Sequence, residues 1–369
     1  MNTDLRRQIS PMRWRRATSI FSYWSERQFV VENYRTGAVR SANPITARVL
    51  HVFDDWRCFD EVRRKLPEYN SRSIRLSLRQ LVRSGLLLVE GSPQARDDQQ
   101  FSESWSTWLP HAAILHFGTK DMRFTNSDEA ITRLLQSYLR ESPQPSFFQS
   151  SSQKLLSPTI QLPAVASTDS DFIRVLLERR THREFSPTLL DLKRLSALLR
   201  YTWGTTGFIQ TGLLGALPLK TSPSAGARHP CEVYVLALRV EGLSAGLYHY
   251  AADRHILERI SAKVFREKAS QYCAGQEWTE GAAALFLITA VFPRSMWKYR
   301  FARAYRTIIA DAGHLCQTFC LVATYLRLAP FCTMALKDSL IERDLGIDGI
   351  NESILYVAGV GLPTKRASR

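Results

Sequence analysis

Residues 178–187 read Glu178-Arg179-Arg180-Thr181-His182-Arg183-Glu184-Phe185-Ser186-Pro187. Three guanidinium groups surround one hydroxyl where a helix predicted over 171–180 ends, with Asp169 or Ser170 as its N-cap. Forked guanidinium donors match phosphate oxygens in pairs, and Thr181 adds a neutral donor. Taken alone, the stretch is better explained as a solvated basic helix end, because arginine is favoured at the negative end of a helix dipole. The chain downstream decides between the two.

Residues 221–230, Thr221-Ser222-Pro223-Ser224-Ala225-Gly226-Ala227-Arg228-His229-Pro230, lead into a strand predicted over 232–238. Small residues let backbone approach a flat ring closely, and Ser224 can donate to one; the plain alternative is an ordinary loop before a strand. Residues 296–306, from Met296 to Arg306, hold adjacent Lys298 and Tyr299. On a regular helix or strand these side chains would diverge by roughly 100° or more, whereas on a loop they could converge. A lysine beside a phenol can act as a proton-transfer pair; the plain alternative is two surface neighbours.

The three stretches occur together and in this order, and the combination carries a resemblance that no single one does. ERRTHREF (178–185) resembles the RR(S/T)xR signature opening the flavin domain of nitroreductase-fold proteins. PSAGARHPCEVYV (223–235) resembles the PSxGAxxPxExY segment of the SagB/ThcOx branch. So do GLYHYAADRHILERI (246–260), WKYRFARAYR (297–306), DAGH (311–314) and ESILYVAGVGLP (352–363). The resemblance covers roughly 168–365 and extends loosely upstream, including HFGTKD at 116–121.

The resemblance implies an α+β chain: a nitroreductase-like domain with a central mixed sheet flanked by helices, paired as a homodimer with an FMN at each interface. In that reading Arg179, Arg180, Thr181 and Arg183 hold the FMN phosphate and ribityl chain. Pro223, Ser224, Ala225 and Gly226 contact the isoalloxazine of the other subunit. Lys365 and Arg366 match, more weakly, a basic pair that meets the phosphate in some nitroreductases. Lys298 and Tyr299 match the catalytic Lys-Tyr pair of azole-forming oxidases. The implied activity is FMN-dependent dehydrogenation of azolines to azoles in a ribosomally made precursor peptide, with a cyclodehydratase as a pathway partner. A base removes the acidified Cα proton while hydride passes to the flavin, and Lys298 and Tyr299 remain alternatives for that base. Three other functions stand beside this one: oxidation of a different C–N or C–C bond, NAD(P)H-dependent nitro- or quinone reduction, and a non-catalytic peptide- or DNA-binding partner.

Upstream, apolar periodicity predicts amphipathic segments over 45–53, 59–66 and 73–84 and a strand over 86–89. Three helices and a strand at these lengths look winged-helix-like. They resemble the peptide-recognition element of related peptide-modifying enzymes, with a scaffold as the alternative. The third helix carries Arg75, Arg79 and Arg83 but no Asn or Gln face beyond Gln80, which weighs against reading DNA bases. The division follows as 1–140 for this module, a Ser/Pro/Gln-rich linker over 141–167, and the flavin domain over 168–369. Within the last, helices are predicted over 192–203 and 307–326, a hairpin over 246–260, and strands over 282–292 and 354–360.

Composition bounds the rest. The chain of 369 residues is 45% hydrophobic and 22% charged, enough to bury cores and too long for one typical domain. Its formal net charge of +15 favours anionic partners. Six cysteines show neither CxxC spacing nor zinc-ligand spacing, so no metal or disulfide framework is expected, and a reducing cytoplasm is the simplest home. The N-terminus lacks the apolar region of a signal peptide. The longest apolar run, 282–292, is far short of the roughly 20 residues that span a membrane. No GxGxxG follows a strand, which weakens a Rossmann reading.

Overall fold

The computed structural model describes residues 12–125, 127–141, 170–212, 214–262 and 266–364. The expected linker falls almost wholly outside these residues, as do Asp169, Lys365 and Arg366. The chain divides into two compact units. One comprises Met1–Lys120 with Phe292–Thr307, the other Asp121–Val291 with Ile308–Arg369.

The first unit begins with β1 (Arg13–Arg16), β2 (Ile20–Ser25), β3 (Gln28–Asn33) and β4 (Ala38–Ser41). There follow α1 (Pro44–Val52), β5 (Arg57–Cys58), α2 (Phe59–Lys65), α3 (Ser71–Arg83), β6 (Leu87–Val89), α4 (Pro93–Trp105) and α5 (His111–Gly118). Asn43 and Asn70 cap α1 and α3 by accepting the backbone N–H groups of Thr46 and Ser73. Ile74, Leu78 and Leu81 bury one face of α3 against Val49, Phe53, Val62 and Leu66. The predicted order of three helices and a strand is present. The sheet they join, β5-β1-β6, takes its central strand from upstream.

Sequence periodicity misses β1 through β4 because these strands lack clean alternation; WRR and FSYWS put large or charged side chains on half-exposed faces. The meander β2-β3-β4 is tied to α3 by one buried side chain. Asn33 accepts from the Ser19 hydroxyl at 2.8 Å and donates to the Gly85 carbonyl at 2.8 Å.

The second unit contains α6 (Asp128–Glu141), α7 (Asp171–Glu178), α8 (Leu192–Trp203), β7 (Thr205–Thr211), β8 (Gly215–Lys220), β9 (Cys231–Ala237), β10 (Gly246–Ala251) and β11 (Ile256–Ser261). It continues through α9 (Glu267–Tyr272) and β12 (Ala284–Val291). The short α10 (Phe292–Met296) belongs to the first unit, and α11 (Tyr305–Tyr325), β13 (Ala329–Thr333), α12 (Asp338–Leu345) and β14 (Glu352–Gly361) follow.

Six strands form one sheet in the order β11-β10-β9-β12-β14-β13. Where a mixed sheet is expected, all of its ladders are antiparallel, and among the described residues parallel pairing is confined to the isolated bridge Leu190–Val240. Strand period sends alternate β12 residues to opposite faces. Leu285 and Leu287 pack with Tyr272 of α9 and with Ile341 and Leu345 of α12. Phe286 points the other way, stacked on Trp203 of α8 at 5.8 Å and against Phe319 of α11 at 4.8 Å. Full burial of one such side chain stabilises by about 1.5–3 kcal/mol. Gly359 on β14 is required by the neighbouring strand, since a Cβ there would lie 2.3 Å from the Phe331 ring.

Candidate functional site

The arginine stretch leaves α7 at Arg179, whose N–H still bonds the Val175 carbonyl. It then runs beside the edge strand β13. The His182 N–H donates to the Pro330 carbonyl at 2.9 Å, the Ser186 N–H to the Leu362 carbonyl at 2.9 Å, and the Phe185 ring packs on Phe331.

The three guanidinium groups are engaged differently. Arg180 donates to the Leu177 and Arg179 carbonyls at 2.8 Å, closing the helix end as the plainer reading has it. Arg183 is exposed, with its guanidinium 5.6 Å from the Trp278 ring centre. Arg179 is half-buried, and Thr181 is exposed. Among the described residues no carboxylate pairs with Arg179, Arg180 or Arg183, whereas Arg174, one turn earlier, is held by both Asp171 and Glu178. Arg179 and Arg183, without a carboxylate partner among the described residues, and the Thr181 hydroxyl between them are donors suited to an anionic phosphate group.

The loop from Pro223 to Gly226 is shaped by Asp311, which lies on α11 and is buried. The Ser224 hydroxyl donates to Asp311 Oδ2 at 2.6 Å and accepts the His229 N–H at 2.9 Å. The Ala225 N–H also donates to this carboxylate. Burial pushes the Asp311 carboxyl up from its ordinary range, against the pull of these donors. The expected donation from Ser224 to a flat ring is therefore corrected: its proton is committed to Asp311, and the backbone is what the loop presents. Gly226, Ala227 and His229 all hold positive φ, at 58°, 54° and 44°, an arrangement that persists only where surrounding bonds over-determine it.

In sequence Asp311 opens the DAGH stretch at 311–314, and what its carboxylate does is set by the fold. Asp311→Ala, which strands two donors, is expected to cost about 1.5–3 kcal/mol of stability. Asp311→Asn, which keeps one acceptor oxygen, should cost less; urea unfolding of the two variants measures the difference.

Lys298 and Tyr299 belong to the first unit. They lie on the turn after α10, where the pair can converge, and Lys298 Nζ sits 5.5 Å from the Tyr299 ring centre. Lys298 is exposed and Tyr299 half-buried. The Tyr299 N–H bonds the Ser295 carbonyl, and its own carbonyl accepts the Trp108 indole N–H at 2.9 Å. Phe292 and Tyr305 flank this segment and are buried among Trp105, Trp108 and His116. The Tyr305 hydroxyl and His116 Nδ1 are hydrogen-bonded at 2.7 Å, and burial drives the His116 imidazole down, keeping it neutral. Trp108 is thus the group shown to hold the Lys-Tyr turn, and no local motif marks it, whereas His116 and Tyr305 fall within the HFGTKD and WKYRFARAYR stretches. Arg179–Arg183 and Pro223–Gly226 belong to the second unit.

Residues 176–362, about half of the chain, match the Nitroreductase family. The chain belongs to the nitroreductase family. Among curated relatives, it is similar to the trifolitoxin-processing protein TfxB of Rhizobium leguminosarum bv. trifolii. Identity is 27% over 330 residues, 82% of this chain and 85% of TfxB. It is 31% identical to MJ1384 of Methanocaldococcus jannaschii, a nitroreductase by name, over 51% of this chain and 89% of that protein. The microcin B17-processing protein McbC of Escherichia coli is 27% identical over 34% of this chain and 48% of McbC. Among the described residues no helix is long and apolar enough to cross a membrane.

Proposed function

We propose that the protein is an FMN-dependent dehydrogenase that oxidises azolines to azoles in a ribosomally made peptide. The observation that carries this reading is the convergence of Lys298 and Tyr299 on a turn that Trp108 holds by its backbone. Family membership supports an oxidoreductase, and the processing roles in the names of TfxB and McbC support a peptide pathway. A precursor peptide and a cyclodehydratase are the partners this reading calls for.

Arg179, Thr181 and Arg183 would hold the FMN phosphate, with Arg180 bracing the helix end they leave from. The backbone of Pro223–Gly226, held by Asp311, would lie against the ring. Bound FMN supplies a two-electron acceptor. Tyr299 or Lys298 takes the proton from the azoline Cα. A homodimer completes the reading. The second unit exposes Phe172, Tyr201, Phe208 and Tyr325, and an apolar groove of about 520 Å³ runs between α7 and α11.

The test is to incubate the flavin-loaded protein with a thiazoline-bearing peptide. A product lighter by two hydrogens, with bleaching of the flavin in the absence of oxygen, is expected. Bleaching by NAD(P)H, with nitroaromatic reduction and no change in the peptide, would instead establish the reductase reading.

A further inference from the structure

Six free cysteines are spread over the chain, yet three of them converge in the second unit. Cys316 and Cys320 are four residues apart on α11, so they share one helical face. Cys332 on β13 reaches the same place. The Cys320 and Cys332 sulfurs are 3.5 Å apart, and Cys316 is near enough to push the Cys332 thiol up. Tyr356 of β14 feels all three. Among the described residues no His, Cys, Asp or Glu group is arranged to hold a metal ion, so the cluster is not a ligand set. Cys316 and Cys320 are buried, while Cys332 is only partly covered.

We propose that Cys320 and Cys332 are a dithiol–disulfide pair closed by hydrogen peroxide, with Cys332 the thiol oxidised first. The Cys332 sulfur attacks one peroxide oxygen. The O–O bond breaks, a sulfenic acid forms, and the leaving hydroxide takes up the thiol proton as water. The Cys320 sulfur then attacks the sulfenic sulfur and a second water leaves, giving the disulfide. Two electrons pass from the two thiols to the peroxide, and none are left over. A disulfide bond is about 2.05 Å long, so the sulfurs must approach by roughly 1.5 Å, a shift that an edge strand can make.

Two features select this pair. Cys332 is the less covered residue of the two, and Cys320 supplies the resolving thiol from the adjoining element. Burial and thiol–thiol hydrogen bonding keep both protonated at neutral pH, so closure answers sustained peroxide better than traces.

The position gives the pair a consequence. Pro330, two residues before Cys332, accepts the N–H of His182 and so anchors the arginine stretch. The Arg179 guanidinium acts electrostatically on both thiols. Closing the disulfide would pull β13 toward α11 at the strand that anchors the arginine stretch.

The test is peptide mapping of the full chain after exposure to hydrogen peroxide, followed by denaturation and thiol alkylation. It needs no flavin, so its failure is distinct from failure of the proposed activity. The expected product is a Cys320–Cys332 cross-linked peptide, two hydrogens lighter and reopened by dithiothreitol. It should persist in Cys316→Ser and be replaced by oxidised, uncrosslinked Cys332 in Cys320→Ser. Three alkylatable thiols after peroxide, a cross-link through Cys316, or uncrosslinked oxidation of Cys332 in the parent protein would each overturn the proposal.

Discussion

Lys298→Ala and Tyr299→Phe are expected to keep their flavin and to lose about 10²- to 10⁴-fold in azoline oxidation, the usual contribution of general-base catalysis. The expectation separates holding from reacting. The groups proposed to hold FMN lie on the α7 end and the Asp311-supported loop, while Lys298 and Tyr299 sit on a turn anchored by Trp108. Tyr299→Phe keeps the ring and the backbone bond to Trp108, so it removes only the hydroxyl. Single-turnover flavin reduction by peptide, without oxygen, isolates the step. Parent-like rates in both variants would show that the pair is not the base. Tyr305 is then a poor substitute, because its hydroxyl is buried and already bonded to His116. His314 is exposed on α11 and would be the next residue to change.

Arg179→Ala and Arg183→Ala should each weaken FMN binding ten- to a hundredfold, since a charge-assisted hydrogen bond contributes about 1.5–3 kcal/mol. Arg180→Ala should cost binding less and helix stability more, because its guanidinium closes α7 on the Leu177 and Arg179 carbonyls. Equilibrium titration of the apoprotein with FMN, read by quenching of flavin fluorescence, gives the three affinities. Unchanged affinity in the Arg179 and Arg183 variants would mean that both merely face solvent.

The sequence by itself determined the elements whose apolar pattern is long and regular. The helix at α11, the buried run of β12, the hairpin of β10 and β11, and the three helices α1 to α3 all stand close to where periodicity puts them. So do the stretches that place arginines, small residues and the Lys-Tyr pair in family order. Each is a local property: a period of 3.6 or 2, a cap, a turn, or a motif within ten residues. The hairpin of β7 and β8 and the meander of β2 to β4 escape such reading, because their exposed aromatic and charged faces blur the alternation.

Only the tertiary structure decided what each motif residue does. Arg179 and Arg180 are adjacent and chemically identical in sequence. One is left without a carboxylate and the other closes a helix, because Arg179 is the C-cap of α7 and the Arg180 side chain folds back on its last carbonyls. Ser224 reads as a donor to a ligand until Asp311, 87 residues away, accepts its hydrogen bond. Tyr299 owes its fixed backbone to Trp108, 191 residues away. Cys320 and Cys332 show no ligand or redox spacing, yet a helix and an edge strand bring their sulfurs to 3.5 Å. The physical reason is the same in each case. Hydrogen bonds and sulfur contacts act over a few ångströms of space, and separation along the chain fixes that distance only within a single element.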